Sequence, residues 1–254
     1  PPVYFPFFHV VEGNDRVMVE NPLKEVNGRF YFDLEDLESK IDADTKMLLL
    51  CNPHNPGGMV WTKEELTDLG NLCLKHNIIV VSDEIHADLV FKGHKHTPFA
   101  SISEAFAQNS VTTMAASKTF NIAGLSSAFL LIPNSRLHNM YKKFMGATHI
   151  SSGNFFGLVA TEAAFTHGHE WLDQLMVYLE ANLDLVVSYL GEKAPRINVM
   201  KPEGTYLIWL DFSLYGLNDS DLGQLLVDHG VGLSPGYLFG KEGKGRMRLN
   251  MGCP

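Results

Sequence analysis

Residues 46–84, KMLLLCNPHNPGGMVWTKEELTDLGNLCLKHNIIVVSDE, decide the fold. Two continuous apolar runs, 47–51 and 78–81, flank a segment with helical spacing. Runs without polar alternation read as strands buried on both faces of a sheet, the pattern of parallel sheets. The Pro/Asn/Gly-rich stretch NPHNPGG closes the first run as a loop. Thr62 with Glu65 three positions on is a capping-box signature, and Leu66, Leu69, Leu72 and Cys73 share one face of the helix it opens.

The same alternation continues outward. VTTMAAS (111–117) and SAFLLIP (127–133) read as further buried strands. Upstream, DLEDLESKI (33–41) has apolar residues at 34, 37 and 41, a helical spacing, and RVMVE (16–20) and RFYFD (29–33) are strand-like. Buried strands alternating with helices predict an α/β fold with a mostly parallel sheet and flanking helices. From Glu170 to Leu190 the pattern is one long helix, stopped by Pro195. TYLIWLDF (205–212), NDSDLGQLLVDHG (218–230), VGLSPG (231–236) and GRMRLN (245–250) then suggest a smaller α+β unit. The expected division is 1–180 for a large domain and 181–254 for a small C-terminal domain, both partial.

Composition narrows the function. Of 254 residues, 45% are hydrophobic and 19% charged, which is globular rather than disordered. A formal net charge of −9 without a basic run argues against nucleic acid. Cys51, Cys73 and Cys253 form no CxxC spacing, so neither a zinc site nor a disulfide framework is expected, and a reducing, cytoplasmic setting fits. No apolar run reaches the roughly 18–20 residues of a membrane span, and no signal peptide opens the chain. Asn218-Asp219-Ser220 matches a glycosylation sequon without any sign of secretion. His86, His94 and His96 have no Cys or carboxylate at ligand spacing, so no metal is expected there. The chain opens on PPVYFPFF and stops after a strand-like run, so it is expected to be a piece whose flanks are absent.

In open parallel sheets, ligands bind at the carboxyl edge of the strands. Three polar features fall at such ends: Asn55 in the NPHNPGG loop, Asp83 with His86, and Ser117 with Lys118. An amine, a carboxylate, an amide and an imidazole suit pyridoxal phosphate (PLP). The amine forms a Schiff base with its aldehyde. The carboxylate keeps the pyridine nitrogen protonated, so the ring accepts electrons from Cα. The amide donates to the phenolate oxygen, and the freed lysine acts as base at Cα.

The ordered set CNPHNPGGMVWTKEEL (51–66), VVSDEIHADLVF (80–91) and SKTFNIAGL (117–125) resembles the fold type I PLP enzymes. With TYLIWLDF, PGYLFG (235–240) and GRMRLNMGCP (245–254), it is similar more narrowly to the MalY/PatB-type cystathionine β-lyases, or C–S lyases, of the class I/II aminotransferase superfamily. The resemblance implies that Lys118 carries the Schiff base, Asp83 pairs with the pyridinium nitrogen and Asn55 meets the phenolate oxygen. Tyr4 would stack on the ring, Ser117 would help hold the phosphate and Arg248 would grip the substrate α-carboxylate. His86 stands where many aminotransferases of this fold have Tyr, as in the C–S lyases. Ser126 stands where those aminotransferases carry a phosphate-binding Arg, and Ala115 where they carry Ser or Gly. The family's glycine-bearing phosphate loop would lie upstream of Pro1. Of two adjacent carboxylates the motif favours Asp83, leaving Glu84 as a surface group. Tyr206 and Tyr237 read as core or rim. The implied reaction is α,β-elimination of cystathionine or a related L-cysteine conjugate by a homodimer. Its rivals are an aminotransferase and a regulatory, protein-binding module on the same scaffold.

Overall fold

A computed structural model describes residues 1–148 and 153–253. In chain order its strands are β1 (Lys24–Val26), β2 (Arg29–Tyr31), β3 (Met47–Cys51), β4 (Ile79–Asp83), β5 (Ser110–Met114), β6 (Phe129–Leu131), β7 (Asn198–Met200), β8 (Leu207–Asp211), β9 (Ser234–Pro235) and β10 (Arg246–Asn250). Its α-helices are α1 (Pro6–Glu12), α2 (Leu34–Lys40), α3 (Lys63–Lys75), α4 (Glu104–Gln108), α5 (Ser135–Thr148), α6 (Phe155–His167), α7 (His169–Lys193) and α8 (Asp219–Asp228). The chain packs into two compact units. One joins residues 41–53 and 61–176; the other joins 1–40, 54–60 and 177–254. This grouping follows packing rather than order along the chain. A sequential division at residue 180 concerns the whole protein and is a proposal.

The first unit is built on a sheet of order β3-β4-β5-β6. β3, β4 and β5 run parallel, and β6 runs antiparallel to β5. β3 leads to β4 through α3, the crossover that a parallel pair requires. The capping box at the start of α3 is complete: Thr62 Oγ1 accepts the Glu65 amide at 3.1 Å and Glu65 Oε2 accepts the Thr62 amide at 2.8 Å. α3 buries Leu66, Leu69, Gly70 and Cys73, with Leu72 only half-buried. Gly70 is in the seam because the Phe106 ring of α4 lies over it; a Cβ there would meet ring carbon Cδ2 at 3.0 Å. Phe106 in turn stacks on Phe99, centroids 5.0 Å apart.

SAFLLIP is not the buried strand its composition suggested. β6 is three residues long, and Leu131 is largely exposed. β5 is followed by a turn and a short 3₁₀ segment, Ala123–Leu125, rather than an α-helix, so the chain returns antiparallel as an edge strand.

The second unit has an antiparallel sheet of order β7-β8-β10-β9 and the separate hairpin β1-β2. RVMVE forms no strand, and Val17 and Val19 are exposed, because residues 16–20 have no strand beside them. The helix read over 170–190 is α7; within this unit it buries Leu179 and Leu183, four residues apart on one face. Arg29 Nε holds Glu203 Oε1 at 2.7 Å, and Glu203 Oε2 accepts the Val60 amide at 2.8 Å. That pair fixes the 54–60 loop against the hairpin. Gly58 is required in the loop: it has φ +71°, and a Cβ would meet the Gly204 carbonyl at 2.9 Å.

Two substitutions test the packing of α3. Thr62→Ala should lower stability by about 1 kcal/mol through the lost cap. Gly70→Val should cost roughly 1–3 kcal/mol by overpacking against Phe106. Urea midpoints read both; a Gly70→Val midpoint equal to the parent's would refute the close seam.

Candidate active site

In the first unit the site grows from strand register. Asp83 ends β4 and pairs in parallel with Thr113 of β5. Neighbours in register share a face, and the Thr113 hydroxyl donates to Asp83 Oδ1 at 3.1 Å. The Ile85 amide reaches the same oxygen at 3.4 Å. Desolvation pushes the Asp83 carboxyl above the usual range, against the pull of these two donors. The Glu84 charge pushes it further up and the Lys118 charge pulls it down. A half-buried carboxylate of this kind gains most from a cation placed opposite it.

Lys118 is half-buried in the turn directly after β5. The turn is over-determined. Phe120 N–H donates to the Ala116 carbonyl at 2.9 Å, Ile122 N–H to the Ser117 carbonyl at 3.1 Å, and Thr119 Oγ1 to Asp88 Oδ2 at 2.8 Å. The Phe120 ring packs on Trp171 and Phe165. Ala115 and Ala116, both buried, lead into the turn with little side-chain volume. Asn121 and Ser126 take left-handed φ of 53° and 48°, which turn the chain away after the lysine. The Ser126 side chain is exposed. His86 is buried in the turns that follow Asp83, where its carbonyl accepts the Leu89 amide at 3.0 Å.

Glu84 is not a surface carboxylate. It is 1% exposed and accepts Ser82 Oγ, the Phe99 amide and His96 Nε2, each at 2.9 Å. The polar run around it in sequence hid this, because two of its three donors come from a loop twelve to fifteen residues on. His96, weighed above as a metal ligand, is thus the partner of a carboxylate.

In the second unit the centre is Arg248, in β10 between β8 and β9. Its register partners are Trp209 and Ser234. Nη1 donates to Asn55 Oδ1 at 3.0 Å and Nη2 to Ser234 Oγ at 3.2 Å, and the guanidinium lies 4.8 Å from the Phe239 ring centroid. Nε is buried without a hydrogen-bond partner, and among the described residues no carboxylate pairs with this side chain. Arg246, two residues earlier on the same face, is by contrast held by Glu25 at 2.6 Å and Asp211 at 3.4 Å. Burial lowers the Arg248 pKa, while the phenols of Tyr4 and Tyr206 raise it. Burial raises that of Tyr206, against the Arg248 charge. Asn55 and Arg248 are therefore in contact, and Tyr4 is near enough to act on the Arg248 charge. Ser234 bonds to the same guanidinium and Tyr206 acts on its charge; the sequence did not single out Ser234, because alternation marks a strand but not which residues beside it touch.

The loop bearing Asn55 is pinned by a neutral imidazole. His54 Nδ1 accepts the Gly57 amide at 3.3 Å, so Nε2 carries the proton and donates to the Pro2 carbonyl at 2.8 Å. Desolvation lowers the His54 pKa from 6.5 to about 3. An unfolded chain therefore binds this proton first as pH falls. The stability it contributes is whole above pH 6.5 and is lost progressively towards pH 3. At pH 5 the loss is about 2 kcal/mol. His54→Gln should flatten that part of the stability–pH curve; an unchanged acid slope in urea titrations would contradict the neutral assignment.

Comparison with known proteins places this geometry. The model of the family "Aminotransferase class I and II" matches residues 1–254. Cystathionine beta-lyase PatB of Bacillus subtilis (strain 168) is 48% identical over 255 residues, covering 100% of this chain and 66% of that protein. The PLP-bound putative aminotransferase from Clostridium difficile 630 superposes with TM-score 0.98 at 47% identity, over 100% of this chain and 66% of its own. Cystalysin from Treponema denticola, whose structure contains pyridoxal 5'-phosphate, gives 0.94 at 34%, over 100% and 65%. The fold is the fold type I architecture expected from the motifs. The chain spans about two thirds of the length of these relatives.

Proposed function

The chain belongs to the aminotransferase class I and II family, and from that premise we propose that the whole protein is a PLP-dependent C–S lyase acting on L-cystathionine or a related L-cysteine conjugate. Its likeness to a cystathionine β-lyase at 48% identity favours this substrate class. The observation that carries the reading is Arg248: a half-buried guanidinium with a buried, unpartnered Nε and no carboxylate among the described residues is suited to receive an anionic group. An amino-acid α-carboxylate suits its planar fork.

The residues fit the cofactor. Asp83, whose burial disfavours its own charge, would be stabilised by a protonated ring nitrogen. Lys118 supplies the amine, in a turn fixed from both sides. The Asn55 carbonyl end is committed to Arg248, so the other end of that amide is an N–H donor suited to a phenolate oxygen. Tyr4, Ser117 and His86 complete the proposed cofactor contacts. Bound PLP supplies an electron sink for the pair left at Cα when its proton departs. Lys118 takes that proton, Arg248 holds the carboxylate and Tyr206 stands beside it. In sum, the conjugate and one water give thiol, pyruvate and ammonium. The protein is further proposed to be a cytoplasmic homodimer. Among the described residues no helix is long and apolar enough to cross a membrane.

An aminotransferase is the second reading, favoured by the description of the Clostridium difficile structure. Incubating the full-length protein, PLP and cystathionine separates the two. Thiol with pyruvate is expected; a keto acid with pyridoxamine phosphate and no pyruvate would establish the rival. Lys118→Ala should abolish the violet absorbance of the bound cofactor and slow turnover at least about a hundredfold. Arg248→Gln should raise KM roughly ten- to a hundredfold with a smaller change in kcat. An unchanged KM would remove Arg248 from substrate binding.

A further inference from the structure

The reaction proposed above makes no use of Glu84, yet it is among the most enclosed charged groups of the molecule. Its side chain has 0% exposure and that of its partner His96 9%. Both carboxylate oxygens are engaged. Oε1 accepts Ser82 Oγ and the Phe99 amide, and Oε2 accepts His96 Nε2. Ser82 belongs to β4, whereas His96 and Phe99 belong to the loop that follows Phe91. The same loop is clipped a second time, where Asn52 Nδ2 donates to the Thr97 carbonyl at 3.2 Å. Asn52 also donates its backbone amide to the Asp83 carbonyl at 2.9 Å. The Glu84 amide donates to the Thr113 carbonyl at 2.9 Å. Asp83 is therefore held on its carbonyl side by Asn52 and on its following peptide by Glu84, and both holders are tied to one strap, residues 96–99.

Stability alone explains this arrangement poorly. A buried carboxylate held by polar donors gains little over an apolar replacement of equal volume, because desolvation offsets the attraction. The cluster also tolerates orphans: Asn52 Oδ1 and His96 Nδ1 are buried without hydrogen-bond partners in the described structure. What three donors from two segments do provide is a fixed orientation. The residue one peptide bond away is the one that must aim a carboxylate.

We propose that Glu84 is a positioning residue: with His96 it straps the 96–99 loop to the end of β4 and so fixes the direction of the Asp83 carboxylate. The use of that direction, to meet a ring nitrogen, rests on the cofactor reading; the strap itself does not. Glu84→Gln keeps both contacts of Oε1 and presents an amide N–H to His96 Nε2, which accepts it in its other tautomer. Glu84→Ala removes all three contacts.

The test is amide hydrogen exchange on the full-length protein, both freed of PLP and loaded with it. The amides of Asn52 and Ile85 both bond to Asp83, and neither bonds to the Glu84 side chain. Glu84→Ala should speed their exchange about tenfold, while Glu84→Gln stays within about threefold of the parent. In the loaded protein, PLP should bind about tenfold more weakly to Glu84→Ala at a temperature where it is folded, and Glu84→Gln should recover most of that affinity. A purely structural role would lower the melting temperature and leave PLP affinity and these two amides unchanged, which would overturn the proposal. So would a Glu84→Gln variant as impaired as Glu84→Ala. If Glu84→Ala does not fold, His96→Ala and Ser82→Ala replace it. Each should speed the two amides about threefold, and no change in either sinks the strap. If the parent protein binds no PLP, the cofactor reading fails alone, and exchange in the PLP-free protein still decides the role of Glu84.

Discussion

The parallel register of β3, β4 and β5 is the constraint on which the first unit depends. Cys51 pairs with Asp83, and Asp83 with Thr113, so the strand ends lie in step. Parallel ladders leave their loops at one edge, and that edge is where polar side chains can meet a ligand without breaking the ladder. A slip of one residue would turn Asp83 to the other face and take it from the Thr113 hydroxyl. The apolar runs on both strands are what prevent the slip. Val80, on β4, is fully buried, and a polar residue in its place would carry an unmatched desolvation cost.

Much of this was legible in the sequence for definite reasons. β3, α3 and β4 were readable because run length, capping chemistry and apolar spacing agree over 46–84. Lys118, Asp83 and Asn55 drew attention because each lies just past an apolar run, where a charged or amide group has to be explained. β6 was misjudged because apolar composition does not report strand direction, which is set by the connection before it. RVMVE was misjudged because alternation alone cannot supply a neighbouring strand. Glu84 was misjudged because its burial is made by Ser82, His96 and Phe99 together, and the last two are remote in sequence. Long-range partners of polar groups leave no local signal.

Arg246 and Arg248 show how little a residue's type says about its task. They share a strand and a face. Arg246 is neutralised by Glu25 and Asp211 and acts as a fastening between β10, β8 and the β1 strand. Among the described residues Arg248 is given neutral acceptors only, an amide oxygen and a hydroxyl, with an aromatic face beneath it. Such partners orient a guanidinium while leaving its charge uncompensated. The cost is a destabilised cation, consistent with the downward shift of its pKa. An anion bound there would recover that cost, so under the proposed role the fold would carry binding energy as unmet electrostatic demand.

The same logic runs in opposite sign at Asp83. Burial there disfavours the carboxylate, the neighbouring Glu84 adds to the penalty, and Thr113 and Ile85 offset it in part. A cation placed opposite Asp83 would relieve a strain already present, as an anion would at Arg248. Strain of this kind is useful only if the group cannot rotate away from it. Thr113 and Ile85 hold Asp83 Oδ1, and Asn52 holds its carbonyl. The backbone around Asp83 therefore has to be rigid for its electrostatics to matter, which is why hydrogen bonds that never touch a ligand can decide how well the site holds one.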